Sequence, residues 1–202
     1  LMDPKVNIIT LIGPAGTGKT MIALYAGLCQ AVDDWHTVIP KQAQYSRLIV
    51  TRPIQPMGKD IGYLPGTLEE KMSPWVAPIN DNLQFLLGNG RDSLKEYVAE
   101  GIIEIEALTY IRGRSINNAF IVVDEIQNMT AHELKTVITR VGENSKIVLM
   151  GDIEQIDNVY IDETTNGLTY AVEKFKEHDI AGHITLTRGE RSKVATLAAK
   201  IL

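Results

Sequence analysis

The chain lacks the marks of several large classes of protein. Cys29 is its only cysteine, so no internal disulfide can form. Placed on the helix after the first loop, it is expected to be a small buried core residue. The four histidines, His36, His132, His178 and His183, have no metal-ligand spacing and no cysteine partners, which argues against a zinc site. No apolar run is long enough to span a membrane. No basic segment followed by an apolar one precedes residue 10, so a signal peptide is not expected and the cytoplasm is the expected compartment. The order Gly13-x-x-Gly16-x-Gly18 is not the dinucleotide pattern Gly-x-Gly-x-x-Gly, which disfavours a nicotinamide or flavin enzyme. There is no Gly-x-Ser-x-Gly nucleophile elbow, no internal repeat and no low-complexity segment. Basic residues are outnumbered: 20 Lys and Arg against 25 Asp and Glu leave a net charge of −5. That excess argues against a broad nucleic-acid-binding surface and leaves room only for a narrow basic channel.

What remains suits one α/β domain with a full core. The 202 residues are 45% apolar, and a second complete domain does not fit. The chain opens Leu1-Met2-Asp3-Pro4 with a strand almost at once, so it is expected to be a piece of something longer.

The most informative stretch is Gly13-Pro14-Ala15-Gly16-Thr17-Gly18-Lys19-Thr20. It matches Gly-x-x-x-x-Gly-Lys-Ser/Thr, the loop that cradles nucleotide phosphates. Val6 to Ile12 reads as an apolar strand and Met21 to Val32 as a helix, which is the setting the motif requires. Glycines let backbone N–H groups approach phosphate oxygens, and the positive end of the next helix faces the anion. Lys19 is placed to reach the β- and γ-phosphates, and the Thr20 hydroxyl to bind Mg²⁺.

Strands alternate with helices downstream, which implies a parallel sheet covered on both faces. Arg47 to Arg52 is β-rich, and Pro53 to Gly66 is too irregular for a regular element. Thr67 to Glu70 has capping-box spacing for a short helix, and Ser73-Pro74 offers a fresh start for a second one over Trp75 to Leu87. Asp92 caps a helix to about Glu100, stopped by Gly101, and Ile102 to Ala107 is a candidate strand. Phe120 to Val123 and Lys146 to Met150 read as buried parallel strands. Thr130-x-x-Glu133 is a capping box for a helix ending near Gly142. Further helices are expected over Leu168 to His178 and Ser192 to Ile201, with a strand at His183 to Thr187 between them.

Acids at the carboxyl end of a buried parallel strand lie at the mouth of a nucleotide crevice. Asp124 would therefore hold Mg²⁺, and Glu125 would act as general base on the attacking water. Asp152 and Gln155 lie on the same rim and can sense the γ-phosphate, or simply form a Gly-Asp turn. Gln127 reads the water or the γ-phosphate, or merely helps a turn. Arg188 and Arg191 follow the last strand, and either can serve as an arginine finger, in its own subunit or a neighbour's; Arg191 is favoured. Arg52, Lys59, Arg112 and Arg114 are candidates for contacts to an RNA backbone, although Arg112 or Arg114 can instead pair with an acid inside the fold. Tyr63, Trp75 and Tyr110 are nearby aromatics that either stack bases or pack in the core, the latter being the expected fate of Trp75.

Together these segments resemble the PhoH family, P-loop ATPases related to the core of superfamily 1 helicases. The resemblance covers almost the whole chain. It is carried by Gly13 to Thr20, Thr51-Arg52-Pro53, Gly58 to Gly66, Glu69 to Met72, Pro74-Trp75, Pro78 to Leu83 and Arg112 to Phe120, with Asp124 to Asn128 and Gly151 to Gln155. It implies a RecA-like parallel sheet with helices on both faces, ATP and Mg²⁺ as cofactors, and a homo-hexameric ring. Pro56 to Gly62 looks like the branch that carries an N-terminal PIN ribonuclease domain, which implies an ATP-dependent RNA helicase coupled to RNA cleavage and single-stranded RNA as a partner. Smaller relatives without a PIN domain were linked to the phosphate-starvation response. Superfamily 1 helicases carry two such cores in one chain and this chain has one, so the second wall of the site would come from an adjacent subunit. A nucleotide-gated assembly module with slow hydrolysis is the rival in a different class. A small-molecule kinase is disfavoured, because Glu125 beside Asp124 suits water activation and no arginine-rich lid follows.

Overall fold

The computed structural model describes residues 1–33, 43–53, 68–88, 91–111, 113 and 115–189. The described elements run β1 (Ile8–Ile12), α1 (Lys19–Ala31), β2 (Arg47–Arg52), α2 (Leu68–Leu87), α3 (Arg91–Ala99), β3 (Ile103–Ala107), α4 (Leu108–Ile111), β4 (Ala119–Val123), α5 (Ala131–Ile138), β5 (Lys146–Gly151), α6 (Gly167–Phe175) and β6 (Ala181–Thr185). The six strands form one sheet in the order β3-β2-β4-β5-β1-β6, and every pairing is parallel. Register is set by pairs such as Ile8 with Ile147, Ile121 with Ile147, and Thr51 with Val123.

The period-two alternation of the strands divides the core in two. Ile9, Leu11, Leu48, Val50, Phe120, Val122, Val148 and Met150 face the layer that holds Leu24 and Leu28 of α1 with Ile79 and Leu83 of α2. Their neighbours Ile8, Ile49, Ile121, Val123, Ile147 and Leu149 face Ile111, Leu134, Val137 and Leu168 on the other side. Both faces being covered explains why β4 and β5 read as unbroken apolar runs: all their residues are buried. Burial fades toward β6, whose last three residues are exposed. Helix α1 approaches the sheet closely at Gly27, where a Cβ would lie 2.6 Å from Leu48 Cδ1. The architecture is the α/β fold expected, a RecA-like P-loop sheet with helices on both faces.

Several boundaries differ from expectation. Instead of two helices meeting at Ser73-Pro74, α2 runs unbroken from Leu68 to Leu87, through Pro74 and Pro78. A proline removes one helical N–H, yet Ile79 and Leu83 lie four residues apart on one buried face, and that packing keeps the helix whole. Helix α5 stops at Ile138 because Val141 bridges to Ile116 and the Gly142 N–H donates to the Ile116 carbonyl at 2.7 Å. Its capping box is present as expected, with Thr130 accepting from Glu133 N and Glu133 from Thr130 N. Helix α6 starts at the Asn166 cap and ends at Phe175, short of His178, and β6 lies two residues before its expected place. Cys29 is half-buried rather than fully buried. The Thr67 cap and the helix over 192–201 lie outside the described residues.

At the amino ends of the central strands, Lys146 is fully buried, and its Nζ donates to the carbonyls of Leu1 and Asp3, both at 2.7 Å. Burial pushes its pKa down, against the pull of Asp3. Ser145 Oγ beside it receives the Ala119 N–H at 3.1 Å and donates to the Ile116 carbonyl at 2.9 Å. The chain entering β1 is thereby pinned beneath the sheet.

Candidate active site

The candidate site lies over the carboxyl ends of β1, β4 and β5, where loops from the central strands converge. The loop after β1 turns with Gly16 at φ 81° and Gly18 at φ 82°, left-handed values that glycine adopts without strain. Gly18 precedes α1 without any side-chain cap, so the first-turn N–H groups of α1 are offered to an anion. Thr17 closes the loop on itself through its hydroxyl, which donates to the Pro14 carbonyl at 2.8 Å.

Lys19 is nearly buried, and its Nζ donates to the loop carbonyls of Gly13 at 2.6 Å and Pro14 at 3.1 Å. Thr20 Oγ donates to Asp124 Oδ2 at 3.2 Å. Asp124 follows directly on β4 and is held by its own N–H donating to the Thr51 carbonyl at 2.9 Å. Its second carboxylate oxygen accepts from Glu125 N at 3.0 Å. Burial above all, then the neighbouring Glu125 charge, pushes Asp124 from 3.8 up to about 6; Arg52 and the two hydrogen bonds pull the other way. A carboxylate short of compensation, beside a hydroxyl, is an all-oxygen donor set that suits Mg²⁺.

Glu125 stands in the left-handed region at φ 56° and opens a short 3-10 turn over Ile126–Asn128. Its Oε2 accepts from Gln127 Nε2 at 2.6 Å, and its Oε1 lies 3.9 Å from Arg52 Nη2. Arg52 also donates to the Trp75 carbonyl at 3.4 Å, so it leans over the acid pair, while Trp75 is half-buried. After β5, Asp152 is buried; its Oδ2 accepts from Ala15 N at 2.8 Å and its Oδ1 from Glu154 N at 3.0 Å. Its carboxylate thus grips the phosphate loop itself. The Gln155 carbonyl accepts from Gln127 Nε2 at 2.9 Å.

These groups surround a cavity of about 320 Å³, lined by Ala15, Gly16, Gly18, Lys19, Thr20 and Met21 from the loop and α1, with Asn82, Asp124, Glu125, Asp152 and Gln155. Candidates from three separate stretches of the sequence meet there: Lys19 and Thr20, Asp124 and Glu125, and Asp152 and Gln155. Arg188 is exposed beyond β6 and does not line the cavity, although the next residue, Gly189, passes near the carbonyls of Ala15 and Gly16. Arg191, Lys59, Arg112, Arg114 and Tyr63 lie outside the described residues, and Tyr110 falls in α4. Two placements were not foreseen in the sequence. Asn82 reaches the cavity from α2, and the placement of Arg52 over Glu125 depends on strand order, since β2 and β4 are neighbours only in space.

The model of the PhoH-like protein family matches residues 1–201. Protein PhoH2 of Bacillus subtilis is 54% identical over all of this chain, and Protein PhoH2 of Mycolicibacterium smegmatis 39%. In both matches the chain spans 44% of the relative's length. Among solved structures, the Pif1 helicase from Candida albicans aligns over 97% of this chain and 39% of its own, with a TM-score of 0.42 and 17% identity.

Proposed function

We propose that this chain, which belongs to the PhoH-like protein family and is a P-loop nucleotide-hydrolysing module, uses ATP with Mg²⁺ and couples its hydrolysis to single-stranded RNA. The observation that carries the nucleotide half is the meeting of Lys19 and Thr20 with Asp124 and Glu125 around one cavity. ATP bound there would supply the phosphoryl group, and Mg²⁺ would offset its charge. Lys19 exchanges its loop carbonyls for phosphate oxygens. Thr20 and Asp124 would hold the metal, and Glu125 would take the proton of the attacking water. Asp152 keeps the phosphate loop in shape through Ala15 N. Gln155 lines the same cavity.

The RNA half draws support from the family resemblance and from the basic residues Arg112 and Arg114 shortly before β4 in sequence, with Arg52 at the end of β2 and Lys59 seven residues after it. It is tested by measuring ATP hydrolysis of the full protein with and without single-stranded RNA of mixed sequence. Stimulation supports the coupling, and an unchanged rate sinks it. A nucleotide-gated assembly module is the second reading. One observation favours it: Val159 and Tyr160 are 88% and 90% exposed on the loop after β5, and Asn158 of that loop donates to the Asn128 carbonyl at 3.1 Å. An apolar knob tied to the acid turn suits contact with a neighbouring copy. Mass measurement with and without nucleotide distinguishes the two readings, since only the second requires assembly to track nucleotide while RNA leaves the rate unmoved.

A further inference from the structure

We infer that Gln127 is a positioning residue for hydrolysis: its buried carboxamide fixes the Glu125 carboxylate and ties it to the phosphate loop through Asp152. The inference rests on the reading of Glu125 as the general base. Gln127 is 0% exposed and does not line the cavity, so it is not placed to read a water or a phosphate directly. Instead every polar atom of its side chain is engaged. Nε2 donates to Glu125 Oε2 at 2.6 Å and to the Gln155 carbonyl at 2.9 Å, while Oε1 accepts from Asp152 N at 3.2 Å. Only this orientation of the amide works, since two acceptors face the nitrogen and one donor faces the oxygen.

Four further observations make this more than a satisfied turn. The bond to Glu125 is the shortest of the three and is charge-assisted when that carboxylate is ionised. Glu125 itself sits in a left-handed backbone conformation that a residue with a Cβ holds only when its surroundings fix it. With Oε2 bonded to Gln127 and Oε1 beside Arg52, the carboxylate is restrained from both sides. Finally, room for the carboxamide exists only because residue 151 is glycine: a Cβ there would lie 2.4 Å from Gln127 Oε1. The bonded series Glu125–Gln127–Asp152–Ala15 then runs from the base to the loop that receives phosphate. A shift of the loop is passed to the base through groups that have no slack.

The test is steady-state ATP hydrolysis with Mg²⁺ by the full protein for Gln127→Met, Glu125→Gln and the double variant. Affinity for a non-hydrolysable ATP analogue and the melting temperature are measured alongside. Gln127→Met keeps the volume and deletes the three hydrogen bonds. It is expected to lower kcat about 10- to 100-fold, the scale for a lost orienting partner. KM and analogue affinity should stay within about 2-fold, as for an interaction that matters only in the transition state. In the Glu125→Gln background the same change should cost nothing more, because its effect travels through the group already removed. Equal losses in both backgrounds, or a raised KM with kcat intact, would overturn the inference. If Gln127→Met does not fold, Gly151→Ala replaces it, since the added methyl displaces the carboxamide without deleting it, and the same pattern is required. If Glu125→Gln leaves kcat unchanged, the base assignment itself fails. If Glu125→Gln lowers kcat and Gln127→Met does not, the role of Gln127 alone fails.

Discussion

Lys19 and Lys146 make the same local arrangement at opposite ends of the sheet. Each ammonium is withdrawn from solvent and donates to two backbone carbonyls. The difference lies in what surrounds them. Lys146 joins β5 to Leu1 and Asp3, which lie 145 and 143 residues away in sequence. Lys19 bonds carbonyls of its own loop, five and six residues back, on the wall of a cavity that also holds Asp124 and Glu125. The first lysine closes the fold, whereas the second has partners it can exchange for an anion. Burial of a charge is therefore a poor sign of function by itself. Replaceable partners beside open space and an opposite charge are a better one.

Substitutions sharpen that contrast. The largest effect belongs to Lys19→Ala, expected to lower kcat/KM for ATP by about 10²- to 10³-fold, with weakened nucleotide affinity by calorimetry. Its melting temperature should hardly move. Glu125→Gln should leave nucleotide binding intact and reduce turnover about 10²-fold or more. Unchanged turnover would remove it from the base role. Asp124→Asn couples the two properties. An aspartate whose folded pKa lies above its unfolded one binds its proton more tightly in the native state, so stability falls as pH rises from 3.8 to about 6. Without nucleotide and metal, Asp124→Asn should therefore stabilise the fold at pH 8 by about 1–3 kcal/mol, a gain that fades below pH ~4, while Mg²⁺-dependent hydrolysis is lost. Thermal melts at the two pH values check the sign. Lys146→Met should do the reverse of Lys19→Ala: a loss of about 1–2 kcal/mol from two unanswered carbonyls, with kcat per folded molecule unchanged. A matching drop in kcat would erase the distinction between the two ends.

Much of the fold was legible because its signals are local. Phe120 to Val123 reads as a strand buried on both faces, Thr130 and Glu133 as a helix start, and Gly13 to Thr20 as a phosphate loop, each from neighbours in sequence. The parts that escaped are decided by distant contacts. Ser73-Pro74 looks like a helix start, yet the burial of Ile79 and Leu83 against α1 carries α2 through it. Strand β6 lies at an edge, where exposed residues leave no apolar pattern to set its register. In the site, residue types at strand ends pointed to Asp124 and Glu125, but the roles of their neighbours required coordinates. Gln127 could be read as facing the water or the γ-phosphate, or as helping a turn, and only the structure turns it inward between β4 and β5. Arg52 meets Glu125 because β2 and β4 are adjacent, an order that periodicity does not contain.

The acids of the site stand above β4 and β5, the two strands in which every residue is hidden, and project from the turns that follow them. In deuterium exchange the amides of those strands should be among the last to open, so the sheet behaves as an anvil. Whatever movement a ligand provokes must then be confined to the turns, and a map of altered exchange should outline the rim while leaving the floor blank.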